Sequence, residues 1–414
     1  MDAQSTATPP AQSAVPSDVA AVPIAAIAAL SFAAFASAAS LRVTDPSLTR
    51  IAEEYGVTIA VGSYAITAFS LAYGMLQIVF GPAGDRFGKV RVVAWACAAS
   101  TATALACAAA PTFITLLAAR ALSGAAAAAI IPLSMAWIGD VVPYHRRQPV
   151  LARFLTGQIM GVASGGLLGG FAADHFGWRT AFVFIAAWFA VACLLLLRLR
   201  RSLPAPVLVR PQEGQSALAH MVGSMREVVG HPWPRVILTV VLLEGVTLFG
   251  AFAFVATHVH LLYGLSLTLA GSVTLMFGFG GLSFAFASRW LVRRMGEAGM
   301  AACGAMLLGA SVMTVGLIHM QWLTMPCMFT AGLGFYMLHN TLQTQATQMA
   351  PTRRGAAVSL FAFCYFVGQS IGVALAGYLL RYFDTGTVIG LGGAAVMVVG
   401  LRFAQLRSRM RASA

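Results

Sequence analysis

The chain has 414 residues, of which 59% are hydrophobic and only 9% charged. Soluble globular proteins carry roughly 25% charged residues, so a surface that mostly faces water is excluded. The net charge of +13 would suit a nucleic-acid binder, but the placement of the bases along the chain argues for a membrane topology instead.

Residues 1–20 are rich in Pro, Ser and Ala and hold Asp2 and Asp18 but no base, which predicts a disordered tail. The Ala-rich stretch after it contains Ala36-Ser37-Ala38 and mimics a signal peptide. Such peptides need a basic n-region, so an uncleaved first helix is expected. Apolar runs of about 20 residues, enough to span a bilayer, then predict helices over 21–41, 58–80, 90–110, 113–138, 149–172, 180–200, 235–259, 266–288, 298–318, 322–346, 355–380 and 386–405. The expected fold class is therefore an all-α membrane protein of twelve transmembrane helices, with no room for a soluble catalytic domain. The longest polar interruption, 201–234, holds Pro204, Pro206, Pro211, Pro232 and Pro234. It divides a bundle over 21–200 from a bundle over 235–406, which leaves 407–414 as a second tail.

With both termini on one side, Arg86, Lys89, Arg91, Arg146, Arg147, Arg293, Arg294, Arg353 and most other bases fall on that same side. Only Arg42, Arg50, Arg179 and Arg381 fall on the other, and Arg120 lies within a span. This is the positive-inside asymmetry. It places both termini in the cytoplasm, and nucleic acid is not expected as a partner. The six cysteines all lie in apolar spans without CxxC spacing, so neither a metal site nor a disulfide framework is expected.

The halves read as repeats. Gly157-Gln158-Ile159-Met160-Gly161 parallels Gly368-Gln369-Ser370-Ile371-Gly372, and Arg293-Arg294-Met295-Gly296 reads as a worn copy of Asp85-Arg86-Phe87-Gly88 that has lost its acid. The run from Gly81 to Arg91 packs glycine, proline, one acid and three bases between two apolar spans. It resembles the Gly-x-x-x-Asp-Arg-x-Gly-Arg-Arg signature of major facilitator superfamily (MFS) transporters. Gly81, Asp85, Arg86, Gly88 and Lys89 match; Val90 departs, and the second base comes one place late as Arg91. The resemblance implies two six-helix bundles around a midplane site, and a conformational gate built on this cluster; the plainer reading is a topological turn with solvated charges. Gly161, Gly165, Gly166, Gly169 and Gly170 resemble the Gly-x-x-x-Gly-Pro-x-x-Gly-Gly antiporter motif, with Gly166 standing where proline is usual. Small residues at this spacing make a face for close helix packing. Gly177-Trp178-Arg179 looks like the start of helix six across the superfamily.

Five residues stand out inside the spans. Arg120, in Arg120-Ala121-Leu122-Ser123-Gly124, costs about 2.5–3.5 kcal/mol on insertion scales. It matches the family's helix-four arginine, which the resemblance associates with proton transfer; the structural alternative is a bond to helix-one carbonyls. Glu244 is the one carboxylate deep within a span. A carboxyl that alternates between wet and dry surroundings can take up and release a proton, so it is the leading candidate for proton coupling or substrate charge, against a neutral glutamate that holds helices together. Asp45 could titrate, cap helix one or pair with Arg42. His339 and Asn340 lie on helix ten, the histidine as proton carrier or satisfied core residue. His258 and His260 are assigned no metal role.

The resemblance is strongest to the twelve-helix drug:proton antiporter and sugar-efflux branch. It implies a monomeric, proton-coupled exporter of small amphipathic solutes in a cell inner membrane, with lipid, solute and protons as partners and no cofactor. Rival readings are an importer of a small organic anion or sugar with Arg120 as clamp, and a non-transporting membrane scaffold. No catalytic triad, metal-ligand spacing or phosphate loop marks an enzyme.

Overall fold

A computed structural model describes residues 24–199 and 217–412, all of whose regular elements are helices. The predicted tail 1–20 and residues 201–216 of the predicted linker lie outside the described residues. The first half runs α1 (Ile24–Arg42), a 3-10 turn at Asp45–Ser47, α2 (Leu48–Tyr55), α3 (Ile59–Gly62), α4 (Tyr64–Phe87), α5 (Lys89–Ala108), α6 (Phe113–Ala127), α7 (Ile130–Val141), α8 (Tyr144–His175) and α9 (Trp178–Leu199). In the second half come α10 (Ala217–Gly230), which occupies part of the stretch read as linker, and α11 (Pro232–Glu244). A π-helical turn at Gly245–Phe249 leads to α12 (Gly250–Phe252), α13 (Val255–Tyr263), α14 (Leu267–Leu317), α15 (Gln321–Gln348), α16 (Arg354–Leu379) and α17 (Thr385–Ala412).

Ten stretches among the described residues are long and apolar enough to cross a membrane, where twelve were expected. The difference has two physical sources. The stretch Leu267–Leu317 is 51 residues long, about 75 Å at 1.5 Å per residue against a hydrocarbon core of about 30 Å. It is broken at Gly296, whose φ of 64° and ψ of 178° lie outside the helix, between the two spans predicted at 266–288 and 298–318. The helix α15 has the length but carries Gln321, Thr330, His339, Asn340, Gln343, Thr344 and Gln345, which lower its hydropathy. Its polar residues are the ones a buried site needs.

Each half has its own apolar core. One is built on residues such as Leu30, Phe69, Leu116, Phe154 and Phe189, the other on Ile237, Leu248, Phe277, Leu338 and Phe403. Large apolar side chains cover the outside, with Phe286 89% and Ile114 78% exposed, a surface that only lipid would cover without penalty.

The repeat survives in the packing. Cβ atoms built on Gly157 and Gly161 of α8 would meet the carbonyls of Ser31 and Phe35 on α1, whereas those on Gly368 and Gly372 of α16 would meet Leu242 and Val246. The sequence spacing is the same in both halves, and in each the two helices run parallel. The two worn-copy glycines also correspond. Gly88 closes α4 at φ 90° and Gly296 breaks α14 at φ 64°, a region that other residues rarely enter. Both segments turn the chain between consecutive helices on the side of the membrane where α1 begins, here called the terminal face; the opposite side is the distal face. Gly296→Ala is expected to destabilise the fold by about 1–3 kcal/mol, read as a lower thermal unfolding midpoint in detergent, while Gly299→Ala, at an ordinary helical φ, shifts it far less.

Candidate functional site

Arg120 is placed by a glycine. A Cβ on Gly124 would stand 2.1 Å from the Phe69 carbonyl oxygen, so glycine alone lets α6 lie against α4. One turn earlier, the fully buried Arg120 donates from Nε to Ala65 O (3.1 Å) and from Nη1 to Ser40 O (3.1 Å). Ser40 lies in the last turn of α1, where carbonyls have no intrahelical donor. The guanidinium also covers the Phe69 ring at 4.3 Å, a favourable seat for a cation. The bond to a helix-one carbonyl, which the sequence offered as the structural alternative to proton transfer, is present; the α4 carbonyl and the ring are additions.

Asp45 and Arg42 form a buried pair, Nη1 to Oδ2 at 3.4 Å. Arg42, read from sequence as a charge at the outer end of the first span, is 2% exposed. Its guanidinium lies 4.3 Å from the Phe249 ring and 5.0 Å from that of Phe252, so a cation of the first half rests on aromatic rings of the second. No pattern in the sequence connects these positions.

Glu244 and His339 are brought together. Glu244 is the last residue of α11, directly before the π-helical turn, and is fully buried. Its Oε2 is 2.8 Å from Nδ1 of His339 on α15, and Oε1 has no hydrogen-bond partner. The His339 ring stacks on Phe335 at 5.0 Å and meets Tyr365 at 4.8 Å and Phe361 at 5.5 Å. Asn340, half-buried on the same helix, joins neither member of the pair. π-helical turns often mark functional positions, and this one sits where a buried acid must reach a neighbouring helix.

A continuous series of ring contacts links the two polar centres. It passes from His339 to Tyr365 (4.8 Å), Phe366 (5.0 Å), Tyr73 (4.6 Å) and Phe69 (5.8 Å), beneath Arg120. The step from Phe366 to Tyr73 crosses between the halves. Beside it, Gln369 Nε2 donates to Ser70 Oγ at 2.9 Å, both buried.

The glycines of α8 face two ways. Added Cβ atoms on Gly161, Gly165 and Gly169 would meet Phe35 O and Ala39 O of α1 and Val43 O just after it, at 2.3, 2.4 and 2.0 Å. Those on Gly166 and Gly170 would instead meet Thr274 Oγ1 and Leu267 O of α14, in the other half, at 2.1 and 2.0 Å. Gly166, which departs from the antiporter motif, therefore sits in the seam between the halves, where a proline ring would collide with Thr274.

Profiles of known families agree with this architecture: that of the Major Facilitator Superfamily matches residues 30–373. The chain belongs to the Major Facilitator Superfamily. It is 26% identical over 350 residues to the uncharacterized MFS-type transporter YceJ of Bacillus subtilis, covering 81% of this chain and 84% of that one. It is also 28% identical over 168 residues to the multidrug export protein EmrB of Escherichia coli, which covers 41% of this chain and 33% of EmrB. Among solved structures it resembles a POT family transporter crystallised with 5-aminolevulinic acid, with a TM-score of 0.71, 14% identity and coverage of 91% and 95% of the two chains. A bacterial homolog of the human lysosomal transporter Spinster gives a TM-score of 0.67 at 16% identity, covering 92% and 94%. These proteins share the fold, and the chain is a multi-pass membrane transporter of the MFS type.

The superfamily signature between α4 and α5 is partly described. Gly88 makes the turn, and Lys89 pairs with Asp140 at the end of α7, within the first half. Arg86 and Arg91 are exposed; the side chains of Gly81 and Asp85 lie outside the described residues. At the distal face, Gly177 has φ 86° and starts α9 so that Trp178 Nε1 donates to Glu54 Oε2 and Arg179 binds Glu54 Oε1 at 2.8 Å and Ala108 O at 2.8 Å. This ties α9 to α2 and α5, a role for the Gly-Trp-Arg run that its sequence does not show. His258, on α13, bonds Thr385 Oγ1 at 2.8 Å, and His260 lies 2.5 Å from Leu265 O. No group of metal ligands occurs among the described residues.

The two faces of α8 should separate by mutation. Gly165→Ala is expected to cost about 1–3 kcal/mol of stability by overpacking, because the α1–α8 contact lies inside one bundle. Gly170→Ala should leave the unfolding midpoint closer to the parent and instead raise solvent accessibility at the distal seam, measured by hydrogen exchange of the first turns of α14.

Proposed function

We propose that this protein is a proton-coupled secondary transporter that exports small amphipathic solutes by alternating access. Twelve membrane crossings, both termini in the cytoplasm and an inner-membrane location complete this reading, with the working unit a monomer. The observation that carries it is the Glu244–His339 pair. A buried polar group without a partner is costly, and His339 Nδ1 is the hydrogen-bond partner of the Glu244 carboxyl. A site that must stay near charge balance can exchange a proton for a cationic or dipolar solute, and that exchange is antiport. Separating α11 from α15 would remove the partner of Glu244, which supplies a two-state element that proton and solute can both bias.

Described contacts between the halves run from mid-span, at Phe366–Tyr73 and Gln369–Ser70, to the distal face. They include Gly166 and Gly170 with α14, Gly377 of α16 with Ser63 and Ala60, and a cluster joining Leu48 and Ile66 to Ala253, Phe254 and Val373. With the termini cytoplasmic, these contacts would hold the outer face closed. The gate cluster of Gly81, Asp85, Arg86, Gly88, Lys89 and Arg91 would then act in the opposite state, when the terminal face closes. Arg120 and Asp45 serve the same cycle from the first half, next to the ring series that reaches His339. The partial likeness to EmrB, a multidrug export protein, supports export over the rival reading. An anion clamp at Arg120 is less favoured because two of its donors already bind Ala65 O and Ser40 O.

In reconstituted liposomes, Glu244→Gln should lower transport driven by a pH gradient by about tenfold or more, since each 1.4 kcal/mol of lost coupling is a factor of ten. Substrate counterflow, which needs no net proton movement, should persist. Full pH-driven transport by Glu244→Gln would sink the coupling assignment. His339→Gln should also lower transport driven by a pH gradient while leaving counterflow intact.

A further inference from the structure

The last turn of α8 carries an acid whose partners belong to the other half of the molecule. Asp174 Oδ1 accepts from Leu267 N at 3.1 Å, and Oδ2 accepts from Thr268 N at 2.7 Å and Thr268 Oγ1 at 2.6 Å. Ser266 Oγ accepts from Leu269 N at 3.2 Å. Of the first amides of α14, which a helix leaves without internal partners, two are therefore satisfied by a residue of the first half and one by the local cap. A carboxylate at a helix N-terminus is favoured by the helix dipole as well as by these bonds.

The second half offers a comparison. Asp384, just before α17, accepts from Thr387 N at 2.9 Å and from Thr387 Oγ1 at 2.7 Å. It caps the helix it precedes, a local arrangement that no movement of the halves disturbs. Asp174 makes the same kind of cap across about ninety residues of chain, at the point where Gly170 seats the Leu267 carbonyl against α8. Its side chain is exposed at the distal rim, so water can take over the α14 amides when the two helices part.

From this geometry we infer that Asp174 is a positioning residue of the transport cycle, a distal latch that holds the end of α8 to the start of α14 and releases when the distal face opens. Gly166, Gly170 and Gly271 give the seam its shape, and Leu267 packs against the first half beside them. The Asp174 cap adds direction, because its three bonds form together in one register and are lost together. It acts on the distal side and is distinct from the gate cluster around Gly88 at the terminal face. The inference rests on the alternating-access reading above.

The test uses purified protein whose six native cysteines are replaced by alanine, with Ser63→Cys as reporter. Ser63 is buried at the N-terminus of α4, against Gly377 of α16, in the other seam, so its labelling by a soluble maleimide reports opening of the distal face as a whole. The parent should label slowly. Asp174→Ala should label on the order of tenfold faster, as the loss of bonds to a charged acceptor implies, and Thr268→Val should fall between. A measurable parental rate that neither substitution changes overturns the latch and leaves alternating access standing. A parent that does not label at all counts against opening of the distal face, and so against both. If Asp174→Ala does not purify as a folded protein, Asp174→Asn and Thr268→Val decide by the same rates.

Discussion

Close approach of helix backbones across glycine is the contact on which this structure depends. Between helices in a bilayer there is no water to expel, so packing and shape must supply the attraction that burial supplies elsewhere. The helix α8 uses this twice. One glycine row brings it against α1 inside the first bundle, and a second row, offset by one residue, brings it against α14 of the other bundle. The first contact is part of what makes the half a rigid body. The second joins the two halves, with Leu267 of α14 buried against the core of the first half beside it. Both close approaches follow from residues too small to interdigitate.

The buried charges divide along the same line. In the first half, Arg120 is held by two carbonyls and a ring, and Arg42 by Asp45 and two rings of the facing half. A guanidinium stays protonated under physiological conditions, so these are fixed charges. In the second half, the buried groups Glu244 and His339 touch each other. The series of rings from His339 to Phe69 passes through the seam at Phe366 and Tyr73. Movement of one bundle against the other must therefore rearrange contacts that adjoin both polar centres.

The repeat is kept in backbone geometry and varied in charge. Gly88 and Gly296 share the positive φ that makes the turn, because no other residue adopts it cheaply. The residue after each glycine binds a different partner. Lys89 pairs with Asp140, while Glu297 accepts from Gln345 Nε2 at 2.8 Å and Arg407 Nε at 2.9 Å. Each ties the start of a new helix into its own bundle on the terminal face, with the sign of the charge reversed. The halves are alike where the chain must bend and differ where charge sets the behaviour.

Much of this was legible from the chain alone. Apolar run length sets the helices and glycine spacing marks the packing faces, because each is a local property repeated along the sequence. Arg120, Glu244, Asp45 and His339 stand out for the same reason: a polar group in an apolar run is costly wherever it points. Their partners were not legible. That Glu244 meets His339, that Arg42 rests on Phe249, and that Asp174 caps α14 are contacts between helices far apart in sequence, and no local pattern encodes them. The Gly161–Gly170 run shows the boundary most clearly. Its spacing determined that helices would approach it closely, but only the tertiary structure decided which glycines weld a bundle and which form the seam, because a one-residue step turns the side-chain direction by about 100° toward a different neighbour.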